Sequence, residues 1–141
     1  MIAHLKERLQ TKPIEVFIYL VIYVPLGFGM DAIGRYLNIA WFGERWQVLP
    51  CYGVYMVLCS LYVRRENFFQ QYLFGLLCFA IYEMAGYATG SSIIAENNLI
   101  DKGLGRANFS LTMVVFFAVY IPTLNRLVQA IYRRLISSGE S

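Results

Sequence analysis

Charge is scarce in this sequence, and several chemistries that depend on particular side chains have none to use. Only 15% of its 141 residues are charged while 58% are hydrophobic, a balance that excludes an ordinary soluble domain. Histidine occurs once, as His4 ahead of the apolar runs, so haem held by paired histidines and His-rich di-iron sites lack their ligands. No lysine lies within an apolar run, which removes a retinal Schiff base, and no G-x-x-x-x-G-K-[ST] loop is present for nucleotide hydrolysis. Cys51, Cys59 and Cys78 form no C-x-x-C pair, so neither a zinc knuckle nor a dithiol motif is available. Cys51 and Cys59 sit on one helix with roughly 12 Å of rise between them and cannot bridge. All three read as small lipid- or core-facing residues. No metal or dedicated cofactor is expected, with a bound lipid or pigment left open.

What is abundant is apolar sequence in long runs. A helical span needs about 20 such residues, and the chain divides as a single membrane domain, residues 1–141, with spans expected over 14–36, 48–63, 68–89 and 107–134. The fold class is therefore an all-α integral membrane protein of four transmembrane helices. Residues 1–12 place Ile2, Leu5 and Leu9 at helical spacing among Lys6, Arg8 and Lys12, the pattern of a short amphipathic helix on the membrane surface. The first apolar run has no small-residue cleavage site after it and is expected to stay as a span. Pro25, followed by Gly27 and Gly29, is expected to bend it. Pro50 suits the first turn of span two, Arg64-Arg65-Glu66-Asn67 makes a tight hairpin turn, and Pro122 is expected to kink span four. The stretch 91–106 is long for a connection and reads as an ordered outer loop, with Ile93, Ile100 and Leu104 on the underside of an interfacial half-helix.

Basic residues set a direction. Lys6, Arg8, Lys12, Arg64, Arg65, Arg126, Arg133 and Arg134 fall on the face that holds both termini, eight against the four of Arg35, Arg45, Lys102 and Arg106. The positive-inside rule then predicts cytoplasmic N- and C-termini. The short spans suit a bacterial cytoplasmic membrane. This asymmetry accounts for the net charge of +3 without a nucleic-acid partner.

Two acids interrupt the spans, Asp31 and Glu83, and a carboxylate at a helix centre costs about 2.5–3.5 kcal/mol on insertion scales. Spans one and three rise in the same direction, which brings the two carboxylates within about 3 Å of one depth. Arg35, one turn beyond Asp31, can pair with it or reach Glu83. One expectation is an Asp31–Arg35–Glu83 cluster under the 91–106 loop. The other is that Asp31 and Arg35 mark the headgroup end of span one while Glu83 is a packing residue. Tyr19, Tyr23, Gly27 and Asp31 follow one face of span one, and Tyr52, Tyr55, Cys59 and Tyr62 follow one face of span two. Phenol hydroxyls avoid lipid tails, so these stripes point inward, as hydroxyl-lined packing or as a pocket for a lipid, quinone or carotenoid tail. Tyr87 joins Tyr23, Tyr52 and Tyr55 as a candidate pocket residue. Gly86 and Gly90 form a small-xxx-small pair that, with Gly27, is expected at helix–helix interfaces.

Three elements, Leu26-Gly27-Phe28-Gly29-Met30-Asp31, Leu49-Pro50-Cys51-Tyr52-Gly53 and Tyr82-Glu83-Met84-Ala85-Gly86-Tyr87-Ala88-Thr89-Gly90, come in a particular order. Over about residues 26–90 that order resembles a small bacterial membrane family labelled type IV ABC-transporter proteins, and its animal relatives. The family has an acid near the end of its first span, a Pro-x-Tyr-Gly-like element and a later Glu-x-x-Thr-Gly-like element. Its Trp-Asp-Tyr-Ser element after span three is replaced here by Asn97-Asn98-Leu99-Ile100-Asp101. The resemblance implies a helical membrane fold and transport of an unnamed substrate.

Three functional expectations follow. Small size, missing cofactor ligands and close-approach glycines favour a non-enzymatic accessory or structural subunit, partnered by other membrane subunits or by itself. The Asp31, Arg35 and Glu83 constellation above a tyrosine-lined interior favours a small transporter or binding protein for a lipid or other amphiphile. Paired carboxylates sharing acid and base roles would serve a lipid-acting enzyme.

Overall fold

The computed structural model describes residues 7–105 and 109–139. Among them, four helical stretches are long and apolar enough to cross a membrane, Pro13–Tyr36, Arg45–Val63, Phe68–Gly86 and Phe109–Ser137, which points to a membrane protein. Large apolar side chains including Phe17, Val21, Leu77 and Phe116 face outward. In water so much exposed apolar surface would drive aggregation, whereas a bilayer requires it.

Helix α1, Pro13–Tyr36, starts with proline at a position whose N–H needs no partner. It runs through Pro25 without interruption, the proline lying on the exposed face. Its buried residues include Glu15, Tyr19, Tyr23, Gly27 and Asp31, a four-residue repeat that forms one inward stripe. A short strand β1, Ala40–Phe42, follows, and then a 3₁₀ turn, Arg45–Gln47. The second span is not a uniform α-helix. Leu49–Met56 is π-helical and passes into α2, Val57–Val63. Bonding from i to i+5 widens the turn and re-aims side chains. Tyr52 therefore packs against Gly27 and, edge-on at 6.5 Å, Phe42. Tyr55 instead donates a 2.6 Å bond to the Cys78 carbonyl and lies 5.7 Å from Tyr82.

Helix α3, Phe68–Thr89, returns antiparallel and packs mainly along α5, Phe109–Ala118. Span four is two helices, α5 and α6, Tyr120–Gly139. The break falls at Val119, and its cause is Pro122: with no N–H to offer the Ala118 carbonyl, and a ring that crowds it, the proline ends the first helix there. Gly75 makes room for that break, since a Cβ on it would lie 2.9 Å from the Ala118 oxygen.

Between α3 and α5 the expected half-helix is shorter than the sequence pattern suggested, holding Ile100 and Leu104 but not Ile93. Ser92–Ile94 is a strand, β2, antiparallel to β1 with Trp41 opposite Ile93, and Leu99–Leu104 is helical, as α4. Two three-residue strands carry little signal alone. They exist because each supplies the other's hydrogen bonds, extended by Gly43 N–H to the Ser91 carbonyl and Ala95 N–H to the Ile39 carbonyl, both 2.9 Å. Asn98 caps α4 by accepting from the Ile100 and Asp101 N–H groups.

The expected amphipathic helix over 1–12 falls partly outside the described residues. Glu7–Leu9 is helical, and Arg8 reaches the hairpin turn, bonding Glu66 at 2.6 Å with its guanidinium 5.3 Å from the Tyr62 ring. Leu9 packs on the core.

Candidate functional site

Polar groups gather at both ends of the bundle. At the ribbon end, Asp31 is 4% exposed and both its oxygens are engaged: Oδ1 accepts from the Phe42 N–H and Oδ2 from Arg35 Nε, each at 2.9 Å. Arg35 Nη2 donates to the Phe42 carbonyl at 2.6 Å, and its guanidinium lies 5.9 Å from the Trp41 ring. One ion pair thus grips both backbone groups of Phe42 and clamps β1 on the end of α1. Charge-assisted hydrogen bonds of this kind are among the stronger polar contacts available. The sequence reading placed Asp31 beside Arg35 but had no means of finding Phe42, because the contact is made by its backbone.

Behind the clamp lies a cavity of about 90 Å³ whose walls include Asp31, Phe42, Tyr52, Tyr82, Glu83 and Phe117. Asp31 and Glu83 therefore share a cavity, while Arg35 bonds Asp31 and not Glu83. Glu83 is half-buried and forms no hydrogen bond or ion pair with any described residue. The aromatic walls interlock: Phe42 meets Tyr52 and Tyr82 edge-on, both at 6.5 Å. Comparison with protein-family models, curated proteins and solved structures finds no match for this chain.

The remaining candidate residues distribute differently. Tyr23 is fully buried and belongs to the opposite end, where its hydroxyl shares a 2.5 Å bond with Ser60 Oγ. Tyr55 sits against α3 outside the cavity. The side chain of Tyr87 lies outside the described residues. Gly27 is a close-approach position, since a Cβ there would come within 2.5 Å of the Tyr52 ring. Gly86 faces Ser91 and Ser92 of the ribbon rather than another helix, and Gly90 ends α3 with φ +62° and open space around it. The glycine that lets two spans meet on α3 is Gly75, which a pattern search for paired small residues passes over.

Sequence reasoning also missed the second polar cluster. Asn125 on α6 accepts from the Tyr19 hydroxyl at 2.6 Å and donates to Gln71 Oε1 at 2.8 Å and to the Ser60 carbonyl at 3.2 Å. It thereby ties all four spans together while only 2% exposed. Below it Glu15 accepts from Gln129 at 2.8 Å and faces Arg64 Nε at 3.6 Å. A signal was present: Ile121, Asn125 and Val128 share one face of α6, so polar residues fall on the stripe the apolar ones bury. Among the described residues no group of three His, Cys, Asp or Glu side chains comes together as a metal site.

Proposed function

We propose that this protein binds, and carries across or within the membrane, a small amphiphile whose head is a cation or hydrogen-bond donor. The observation behind this reading is Glu83. A carboxylate inside an apolar span is costly and ordinarily comes with a partner. Asp31 has its partners in Arg35 and Phe42, whereas Glu83 lines an aromatic-walled cavity with no hydrogen-bond or ion-pair partner among the described residues. A cationic head would find there both a counter-charge and the faces of aromatic rings. About 90 Å³ admits a compact head and not a whole drug-sized molecule, so the tail would extend toward lipid.

On this reading Asp31 and Arg35 are positioning residues, since they hold the ribbon that forms one wall. The enzymatic alternative needs two free carboxylates, and Asp31 has both oxygens occupied. The accessory-subunit alternative has no comparable site behind it, because the uncovered faces are apolar ones that lipid covers equally well. The excess of arginine and lysine at the opposite end supports a cytoplasmic basic face and a cavity near the outer surface. A bacterial cytoplasmic membrane remains part of the proposal, as does transport of the kind the family resemblance implies.

The test is binding of dodecyltrimethylammonium to the protein in neutral nanodiscs, against a neutral amphiphile of equal chain length. Glu83→Gln is expected to weaken the cationic ligand about tenfold, some 1.4 kcal/mol, and to leave the neutral one unchanged. Equal affinity for both amphiphiles, or an unaltered affinity in Glu83→Gln with folding intact, would overturn the reading.

A further inference from the structure

The basic end holds a second polar concavity, walled by cationic more than acidic side chains. Between the first turn of α3 and the middle of α6 lies an open groove of about 410 Å³, walled by Arg64, Asn67, Gln71, Asn125, Arg126 and Arg133 among others. Three guanidinium groups meet one carboxylate there, that of Glu66, which Arg8 already holds at 2.6 Å. Arg126 and Arg133 are exposed, and neither forms an ion pair with a described residue. Arg126 lies 4.8 Å over the Phe68 ring, which fixes its stem at the groove's rim.

Arg64 lies at the inner side of the groove. Its side chain is only 8% exposed, Nε faces Glu15 and Nη2 donates to the Gln10 carbonyl at 2.6 Å. Nη1, however, is buried without a hydrogen-bond partner among the described residues. Buried polar atoms are nearly always bonded, and a charged donor left unmet costs more than a neutral one. The groove also receives the N-terminus of α3, a 22-residue helix whose dipole favours negative charge. Asn67 Oδ1 takes the Gln70 N–H at 2.8 Å, leaving other first-turn N–H groups unused by that cap.

We propose that this groove binds a phosphate group, either the headgroup phosphate of an anionic phospholipid or that of a small soluble phosphate compound. Guanidinium groups match phosphate oxygens in planar, paired bonds. The groove's position at the start of a span sets it at headgroup depth, where basic pockets between helices take such lipids.

The experiment uses the full chain in detergent and scores lipid retained by native mass spectrometry after exposure to equal phosphatidylglycerol and phosphatidylcholine. Retention of phosphatidylglycerol is expected to exceed that of phosphatidylcholine about tenfold, and the double variant Arg126→Gln, Arg133→Gln is expected to abolish the preference. Both substitutions are at exposed positions, where folding is expected to be preserved. Arg65→Gln, which removes a charge from the same end but outside the groove, is expected to leave it intact. If millimolar inorganic phosphate or glycerol 3-phosphate displaces the lipid or raises the melting temperature of the lipid-free protein, a soluble phosphate is the source. If neither does so, the lipid is. Equal retention of the two lipids without any response to soluble phosphate would overturn the site. So would a preference that survives the double variant, or one lost equally in Arg65→Gln.

Discussion

Asn125→Ala is expected to destabilise the bundle by roughly 2–4 kcal/mol, more than any single apolar truncation on the outward-facing surface. The residue makes hydrogen bonds to Tyr19, Gln71 and Ser60, one from each of the other three spans. Interhelical bonds in membranes are worth about 0.6–1.7 kcal/mol each, and their loss here leaves the Tyr19 hydroxyl and Gln71 amide facing a small void among buried groups. Reversible unfolding in mixed micelles of increasing dodecyl sulfate reads this directly. Tyr19→Phe, which removes a single bond and little volume, is expected to cost about 1 kcal/mol. A loss below about 0.5 kcal/mol in Asn125→Ala would show that the network is not what holds the spans together.

Gly34→Ala is expected to disable the ribbon-end cavity while the bundle stays assembled. A Cβ on Gly34 would lie 2.0 Å from the Ala40 carbonyl oxygen, and the obstacle is backbone rather than a side chain that could swing aside. Helix and strand must part, and with them the bond from the Ile39 N–H to the Gly34 carbonyl, now 2.8 Å. The Asp31 bond to the Phe42 N–H depends on the same spacing. Overpacking of this kind costs about 1–3 kcal/mol, paid locally because the rest of α1 is anchored on the π-helical segment and α6. Affinity for the cationic amphiphile should fall at least tenfold. Gly29→Ala is the matched control: nothing lies within 4 Å of its added Cβ. It should bind normally and melt slightly higher, since alanine suits a helix interior better than glycine. Equal behaviour of the two variants would mean that the clamp does not shape the cavity.

These cases mark how far the residues alone could be read. Span three was legible to its ends because an apolar run whose one charge is Glu83 is bounded by Asn67 and Gly90, and the inward face of α1 because tyrosine hydroxyls at four-residue spacing must avoid lipid. The ribbon was not legible: Ala40–Phe42 and Ser92–Ile94 are too short to signal a strand, and pairing across about fifty residues creates both. The π-helical segment likewise hides in sequence. Its consequence is that Tyr52 and Tyr55, which share a stripe on an ideal helix, look to different neighbours.

By itself the sequence determined four helices apolar enough for a bilayer, their antiparallel order, the basic end and the acids that needed explaining, because hydropathy and charge are properties of each residue. Only the tertiary structure decided which acid is satisfied. Asp31 is neutralised by a side chain one turn away and a backbone N–H that arrives with the ribbon, while Glu83 on the same cavity meets no such donor among the described residues. Hydrogen bonds are short and directional, so partners depend on where distant segments come to rest, and composition carries no record of that.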